Sequence, residues 1–135
     1  MARTRLYRNG VLERVDLPIE DISEVIDTPR VVVWLDVCVA DGERLDTVED
    51  EFGLHTLAIE DATGHRQRPK LDHYATHLFV NGYAVRLDDA TKDLVSSEIS
   101  AFVLPNLLIT GRKDHLFNID DVGSRWDNSP ELAKE

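Results

Sequence analysis

The stretch FGLHTLAIEDATGHRQRPKLDHY, residues 52–74, decides the fold of this chain. Leu54, Leu57 and Ala58 recur at the i, i+3, i+4 spacing of one helical face. Gly64 follows as a natural helix stop. The stretch therefore predicts a short amphipathic helix, then a basic loop, and then the start of a strand.

Opposite charges lie close together within this stretch. Glu60 and Asp61 are adjacent acids near the predicted helix end, whereas Arg68 and Lys70 belong to the basic loop that follows. Adjacent carboxylates can hold a hydrated Mg²⁺ ion if a third acid comes from elsewhere. The acids can equally be balanced by the basic loop, for which we expect an ion-pair role rather than phosphate binding. Residue type alone leaves both interpretations open.

Composition limits the class of partner. The chain has 135 residues, 15 Lys+Arg against 26 Asp+Glu, and a net charge of −11. Nucleic acids and anionic membranes both demand a basic face, so neither is expected as a partner. The acidity is compatible with cation binding, although solubility alone accounts for it. The length predicts a single domain over 1–135, and no window approaches the ~18 apolar residues of a membrane span.

The remaining pattern predicts a mixed sheet flanked by helices. Asn9-Gly10 predicts a two-residue hairpin, and residues 31–37 predict a strand covered on both faces, with Trp34 buried. Further strands are predicted over 71–87, 91–103 and 106–111, where they form a meander. Helices are predicted over 19–26, 43–52 and 117–126, and 129–132 could begin another.

Candidates for other chemistry are weak. On a helix, His73 and His77 would form a chelating pair, but a strand places them ~13 Å apart and so argues against zinc. Cys38, the only cysteine, lies in an apolar run and is expected in the core. No nucleotide-binding or nucleophile motif occurs, so no enzymatic activity is expected.

Several short motifs occur together between about Val32 and about Arg112. Taken as one set, they comprise Val33–Val37, Leu57–Asp61, Gln67-Arg68-Pro69-Lys70, Tyr74, Leu78–Val80, Glu98-Ile99, Phe102-Val103 and Asn106–Thr110. This set resembles the cytoplasmic N-terminal domain of CorA-type magnesium transporters. The Glu-Asp pair and the Gln-Arg-Pro-Lys element at this spacing are its most specific part.

The resemblance implies a three-layer α/β/α sandwich. It also implies a regulatory domain on the cytoplasmic side of the membrane, which senses divalent cations and gates the pore of a homopentamer. Glu60 and Asp61 would be the metal ligands, completed by an acid on the stalk helix of a neighbouring subunit. We expect weak binding of Mg²⁺ to one chain, with other divalent ions possible and a dissociation constant of about a millimolar or worse.

The 135 residues contain no counterpart of the family's stalk and transmembrane helices or of its Gly-Met-Asn pore motif, since Met1 is the only methionine. We therefore expect either an excised domain or a truncated relative, two alternatives that the sequence does not separate. The isolated segment is expected to be monomeric or weakly associated and to make no membrane contact itself. Two other classes stay open. One is a stand-alone interaction module that uses a sheet edge or the acidic face, and the other is an acid-pair hydrolase with a pocket around Glu60 or Asp61.

Overall fold

A mixed β-sheet organises the molecule, whose computed structural model describes residues 3–39, 45–64, 68–116 and 119–129. Within these ranges, the seven strands follow the order β2-β1-β3-β7-β6-β5-β4. The elements in chain order are β1 (Arg3–Arg8), β2 (Val11–Val15), α1 (Ile19–Val25), β3 (Val31–Cys38), α2 (Asp46–Phe52), α3 (Thr56–Thr63), β4 (Lys70–His73), β5 (Leu78–Leu87), β6 (Leu94–Leu104), β7 (Leu107–Arg112) and α4 (Ile119–Asp127).

The sheet is assembled from two locally connected parts. The first is the β1–β2 hairpin, whose turn residues Asn9 and Gly10 have φ angles of 54° and 82°. Positive φ at both positions is what a type I′ turn requires, which confirms the predicted hairpin. The second part is the antiparallel meander from β4 to β7. The parallel pair of β3 with β7 joins the two parts.

Both faces of the sheet are covered by helices. Side chains alternate along a strand, so β3 contributes residues to the packing on each face. Val33, Leu35 and Val37 of β3 enter a core that also contains residues of α1 and α3. Trp34, on the opposite face, packs against Trp126 of α4 with ring centroids 5.9 Å apart. Trp34 is 5% exposed. The predicted α/β/α arrangement and the burial of Trp34 are therefore confirmed.

Helix α4 is fixed to the sheet by its last turn. The Asp127 carboxylate accepts hydrogen bonds from Arg5 Nη2 and from the Tyr7 hydroxyl, each 2.8 Å long. The hydrogen bond from Arg5 holds the pKa of Asp127 below its ordinary value, whereas burial raises the pKa of Tyr7. The Trp126 ring packs on that of Tyr7 at 5.7 Å. Aromatic packing and an ion pair therefore act together on one turn of helix.

The structure differs from the sequence expectation in two places. Leu57 is exposed, because α3 instead turns Ala58, Ile59 and Ala62 toward the sheet. The single strand predicted over 71–87 is two strands, β4 and β5, which pair antiparallel around a turn at residues 74–77. The distance argument for His73 and His77, which assumed one continuous strand, was therefore wrong.

The other predicted helices are present with small shifts. The observed bounds are 19–25 where 19–26 was predicted, 46–52 where 43–52 was predicted, and 119–127 where 117–126 was predicted. Residues 43, 44, 117 and 118 lie outside the described ranges, as does most of the helix start expected at 129–132.

Replacement of Trp34 tests the packing between the sheet and α4. Trp34→Ala is expected to lower the free energy of unfolding by about 3–5 kcal/mol, because it opens a cavity beneath α4. Trp34→Phe should cost less, since it keeps most of the packing but removes the 2.9 Å hydrogen bond from the indole nitrogen to Thr110 Oγ1. Urea unfolding followed by far-UV circular dichroism measures both. A loss under about 1 kcal/mol for Trp34→Ala would contradict core packing here.

Candidate functional site

Helix α3 places the two candidate acids at the edge of the core. Its buried residues are Ala58, Ile59 and Ala62. Glu60 and Asp61 fall outside this buried face, so Glu60 is exposed and Asp61 is partly exposed. Glu60 thus faces solvent, whereas Asp61 lies at the border between the helix and the sheet.

Gly64 ends α3 three residues after Asp61, as predicted. Its backbone N–H donates a 2.8 Å hydrogen bond to the carbonyl oxygen of Glu60. A Cβ atom at Gly64 would lie only 2.7 Å from that oxygen. Any other residue would therefore displace the backbone that carries Glu60 and Asp61.

The Asp61 carboxylate is bound by a cation from the neighbouring strand. The ammonium of Lys70, the first residue of β4, donates to Asp61, and it lies 3.3 Å from Asp72 Oδ2. The hydrogen bond to Asp61 is the main reason that the pKa of Lys70 is raised. Two carboxylates therefore share one positive charge at the end of α3. Lys70 thus forms ion pairs with two acids.

A second polar group continues from this point into the sheet. Lys113 Nζ lies 2.8 Å from Glu98 Oε1 and 3.5 Å from the backbone oxygen of Asp61. Glu98 also accepts a 2.9 Å hydrogen bond from Asn81, which in turn accepts one from Ser100. Glu98, Asn81 and Ser100 are buried. Sequence reasoning missed this network because its members come from β5, β6 and the residue after β7, and no local motif links them.

The side chains of two predicted site residues take no part in these contacts. Within the described ranges, the side chains of Glu60 and Arg68 are exposed and form no ion pair. Arg68 takes part through its backbone, whose oxygen accepts a 3.3 Å hydrogen bond from Asn81 Nδ2. Arg66, the other arginine of the basic loop, lies outside the described ranges. The expected ion pairs of this loop are thus found for Lys70 and not for Arg68.

The donor set at this site is incomplete for a metal held by one chain. No cluster of three or more His, Cys, Asp or Glu side chains suited to an ion occurs among the residues that the structure describes. The donors that are present, Asp61 and Asp72, are hard carboxylate oxygens, which suit Mg²⁺. The residues therefore fit a hydrated ion with few direct protein contacts, and Lys70 competes for the same oxygens.

No helix within the described ranges is long and apolar enough to cross a membrane.

Three solved structures share the fold. The full-length CmaX protein superimposes with a TM-score of 0.75 at 20% identity, and the match covers 96% of this chain and 39% of that one. The soluble domain of CorA from Methanocaldococcus jannaschii gives 0.67 at 13%, covering 96% and 48%. The complete CorA magnesium transporter of that organism gives 0.63 at 15%, covering 95% and 37%.

Sequence comparison identifies the family. YfjQ of Bacillus subtilis (strain 168), which is named for metal ion transport, is 30% identical over 131 residues. The match covers 97% of this chain but 37% of YfjQ, so the chain spans well under half the length of that relative. The family model described as CorA-like Mg²⁺ transporter protein matches residues 30–134, which is more than half of the chain. The chain therefore belongs to the CorA-like Mg²⁺ transporter protein family.

Proposed function

We propose that this chain is the cation-sensing domain of a CorA-like metal ion transporter, with Mg²⁺ as its ligand and other divalent ions admitted. The observation that carries the proposal is the Lys70 ammonium shared by Asp61 and Asp72. Membership in a transporter family, together with a carboxylate that already binds a cation, favours this function over the acid-pair hydrolase. In this proposal the signal is intracellular Mg²⁺, and the domain would act on the cytoplasmic side of the membrane.

In this proposal, Lys70 raises the divalent-ion concentration that is needed to fill the site. A divalent ion must displace the ammonium from Asp61 before it can use that carboxylate. Mg²⁺ also releases its waters reluctantly, so two carboxylates from one chain bind it weakly. A weak site is suited to a sensor, because its occupancy then changes when the free ion concentration changes.

A neighbouring subunit would supply the additional acid that the site in one chain lacks. Glu60 is exposed beside Asp61 and is accessible to an ion that also contacts an acid of an adjacent subunit, whereas Asp61 becomes accessible once Lys70 is displaced. Such an ion offsets the repulsion between carboxylates and stabilises the arrangement in which the subunits are close. If that arrangement corresponds to the closed pore, loss of the ion shifts the population toward the open state.

A Mg²⁺ titration tests the ligand assignment. Wild-type chain is expected to bind with a dissociation constant of about a millimolar or worse, and Asp61→Asn should weaken binding further because one of the two carboxylates is lost. Chemical-shift changes in ¹H–¹⁵N NMR spectra measure this binding. Asp89→Asn, a change at an exposed acid remote in sequence, is the matched control and should leave the titration unchanged. Micromolar affinity, or equal affinity in wild type and Asp61→Asn, would place the site elsewhere.

Removal of Lys70 tests its role as a competitor. Lys70→Met keeps the aliphatic part of the side chain and removes the charge, so Mg²⁺ affinity should rise by about tenfold. The same titration measures it, and Lys92→Met at an exposed turn is the control. Unchanged or lower affinity in Lys70→Met would show that the ammonium does not hold the cation position.

The oligomeric state tests where the contacts between subunits reside. The isolated chain is expected to be monomeric at micromolar concentration, because its net charge of −11 repels like copies and the resemblance assigns most pentamer contacts to the stalk and membrane helices. Sedimentation velocity at low and high salt measures this. A salt-independent oligomer would contradict the expectation and favour the stand-alone interaction module.

A further inference from the structure

Three rings stack where α3 meets the turn between β4 and β5. The His55 and Tyr74 rings have centroids 4.3 Å apart with an interplanar angle of 27°. On the other side, Tyr74 and His77 are 5.1 Å apart at 26°. The tyrosine therefore lies between two imidazoles, one from the residue that precedes α3 and one from the turn. The stack connects the start of the helix to the sheet.

His55 holds the first turn of α3 in place through an unprotonated nitrogen. It is the N-cap residue, and its Nδ1 atom accepts a 3.1 Å hydrogen bond from the backbone N–H of Leu57. A protonated imidazole carries N–H groups at both nitrogens and has no acceptor left. Positive charge is also unfavourable at a helix N-terminus. The observed cap therefore requires neutral His55.

His77 also requires its neutral form, for a different reason. The residue is 5% exposed, and its Nδ1 atom lies 2.9 Å from Thr76 Oγ1. Among the described residues, its Nε2 atom is buried and has no hydrogen-bond partner. Protonation would leave a charged N–H donor unsatisfied in the core, which is unfavourable. Burial, with a smaller effect from His55, accordingly lowers the pKa of His77 from its ordinary value of 6.5.

The surroundings of the stack offer little to compensate a positive charge. His77 faces Tyr74 from the turn and Phe102 from β6, at 5.9 Å between ring centroids, and His55 acts on it from the start of α3. Asp72, Lys70 and Asp61 act on Tyr74 instead. In the described part of the chain, no carboxylate accepts a hydrogen bond from either imidazole. Attraction between an imidazolium and the Tyr74 ring offsets only part of the cost.

We propose that the His55–Tyr74–His77 stack is an acid-sensitive joint, which holds the start of α3 on the sheet at neutral pH and releases it on mild acidification. The joint adds proton sensitivity to the helix that ends in Glu60 and Asp61. It does not depend on the proposed metal site, because neither imidazole contacts those acids.

The direction of the pH dependence follows from the lowered pKa of His77. The unfolded chain binds a proton near pH 6.5, whereas the folded chain binds it only at lower pH. The contribution of His77 to stability is therefore fully present above about pH 6.5 and is lost as the pH falls through the lower folded value. Acidification of the solvent should thus loosen this joint before it affects the rest of the fold.

Histidine titration by NMR between about pH 7.5 and pH 5.5 tests the proposal. The His77 ring is expected to titrate below 6.5 in the wild-type chain. The backbone amides of residues 55–63 and 71–79 should shift together as the joint opens, with and without added Mg²⁺. A His77 midpoint at or above 6.5, or amide shifts spread evenly over the chain, would overturn the proposal.

Two variants separate this device from general acid sensitivity. His77→Phe keeps a ring in the stack and removes its titration, and His55→Asn keeps a good N-cap whose acceptor is an amide oxygen rather than an imidazole nitrogen. Each variant should reduce the concerted shift of the backbone amides in 55–63 and 71–79, and the double variant should abolish it. His73→Phe, at an exposed histidine of β4, should leave it intact. If His77→Phe does not fold, His55→Asn and the wild-type titration still decide. Asp61→Asn should leave the shift unchanged, so failure of the metal proposal is distinguishable.

Discussion

The sheet depends on one parallel strand pair, β3 with β7. Every other pair in the described sheet is antiparallel, and this pair alone joins the N-terminal strands to the meander. It is locked by a buried ion pair, in which Arg112 Nη2 lies 2.7 Å from Asp36 Oδ2. Asp36 also accepts a 2.7 Å hydrogen bond from Thr110, its register partner. Loss of either charged partner would leave the other buried and uncompensated, at a cost of about 3–5 kcal/mol. The polar network therefore fixes the register on which both layers of helices rest.

Local chemistry explains which parts of the fold were predictable. Asn9-Gly10 permits the tight hairpin, Gly53 adopts the left-handed conformation that ends α2, and the run at 31–37 has two apolar faces. The turn at 74–77 was missed because it contains no Gly, Pro, Asn or Asp. Leu57 was assigned to the core by spacing alone, whereas the face that α3 buries consists of Ala58, Ile59 and Ala62.

The candidate site was predictable only to the extent that its partners are close in sequence. Asp61 and Lys70 lie nine residues apart, so their opposite charges could be seen in one stretch. Glu98 and Lys113 join the same region from β6 and from the residue after β7, and only the sheet brings them there. The His55 cap was hidden as well, because histidine is not a usual N-cap residue. Long-range polar contacts carry no periodic signal, so a single sequence does not reveal them.

The long sequence separation across the β3–β7 pair has a consequence for how the domain folds. Val33 pairs with Leu107, so this part of the sheet cannot form until most of the chain has been synthesised. The hairpin and the meander are local and can form earlier, whereas closure of the sheet must overcome the entropy of a long loop. Helix α4 docks on the N-terminal strands, because Trp126 packs on Tyr7 of β1 and on Trp34 of β3. The chain has two tryptophans, and both lie at this contact. Their fluorescence therefore reports the docking of α4 on the sheet.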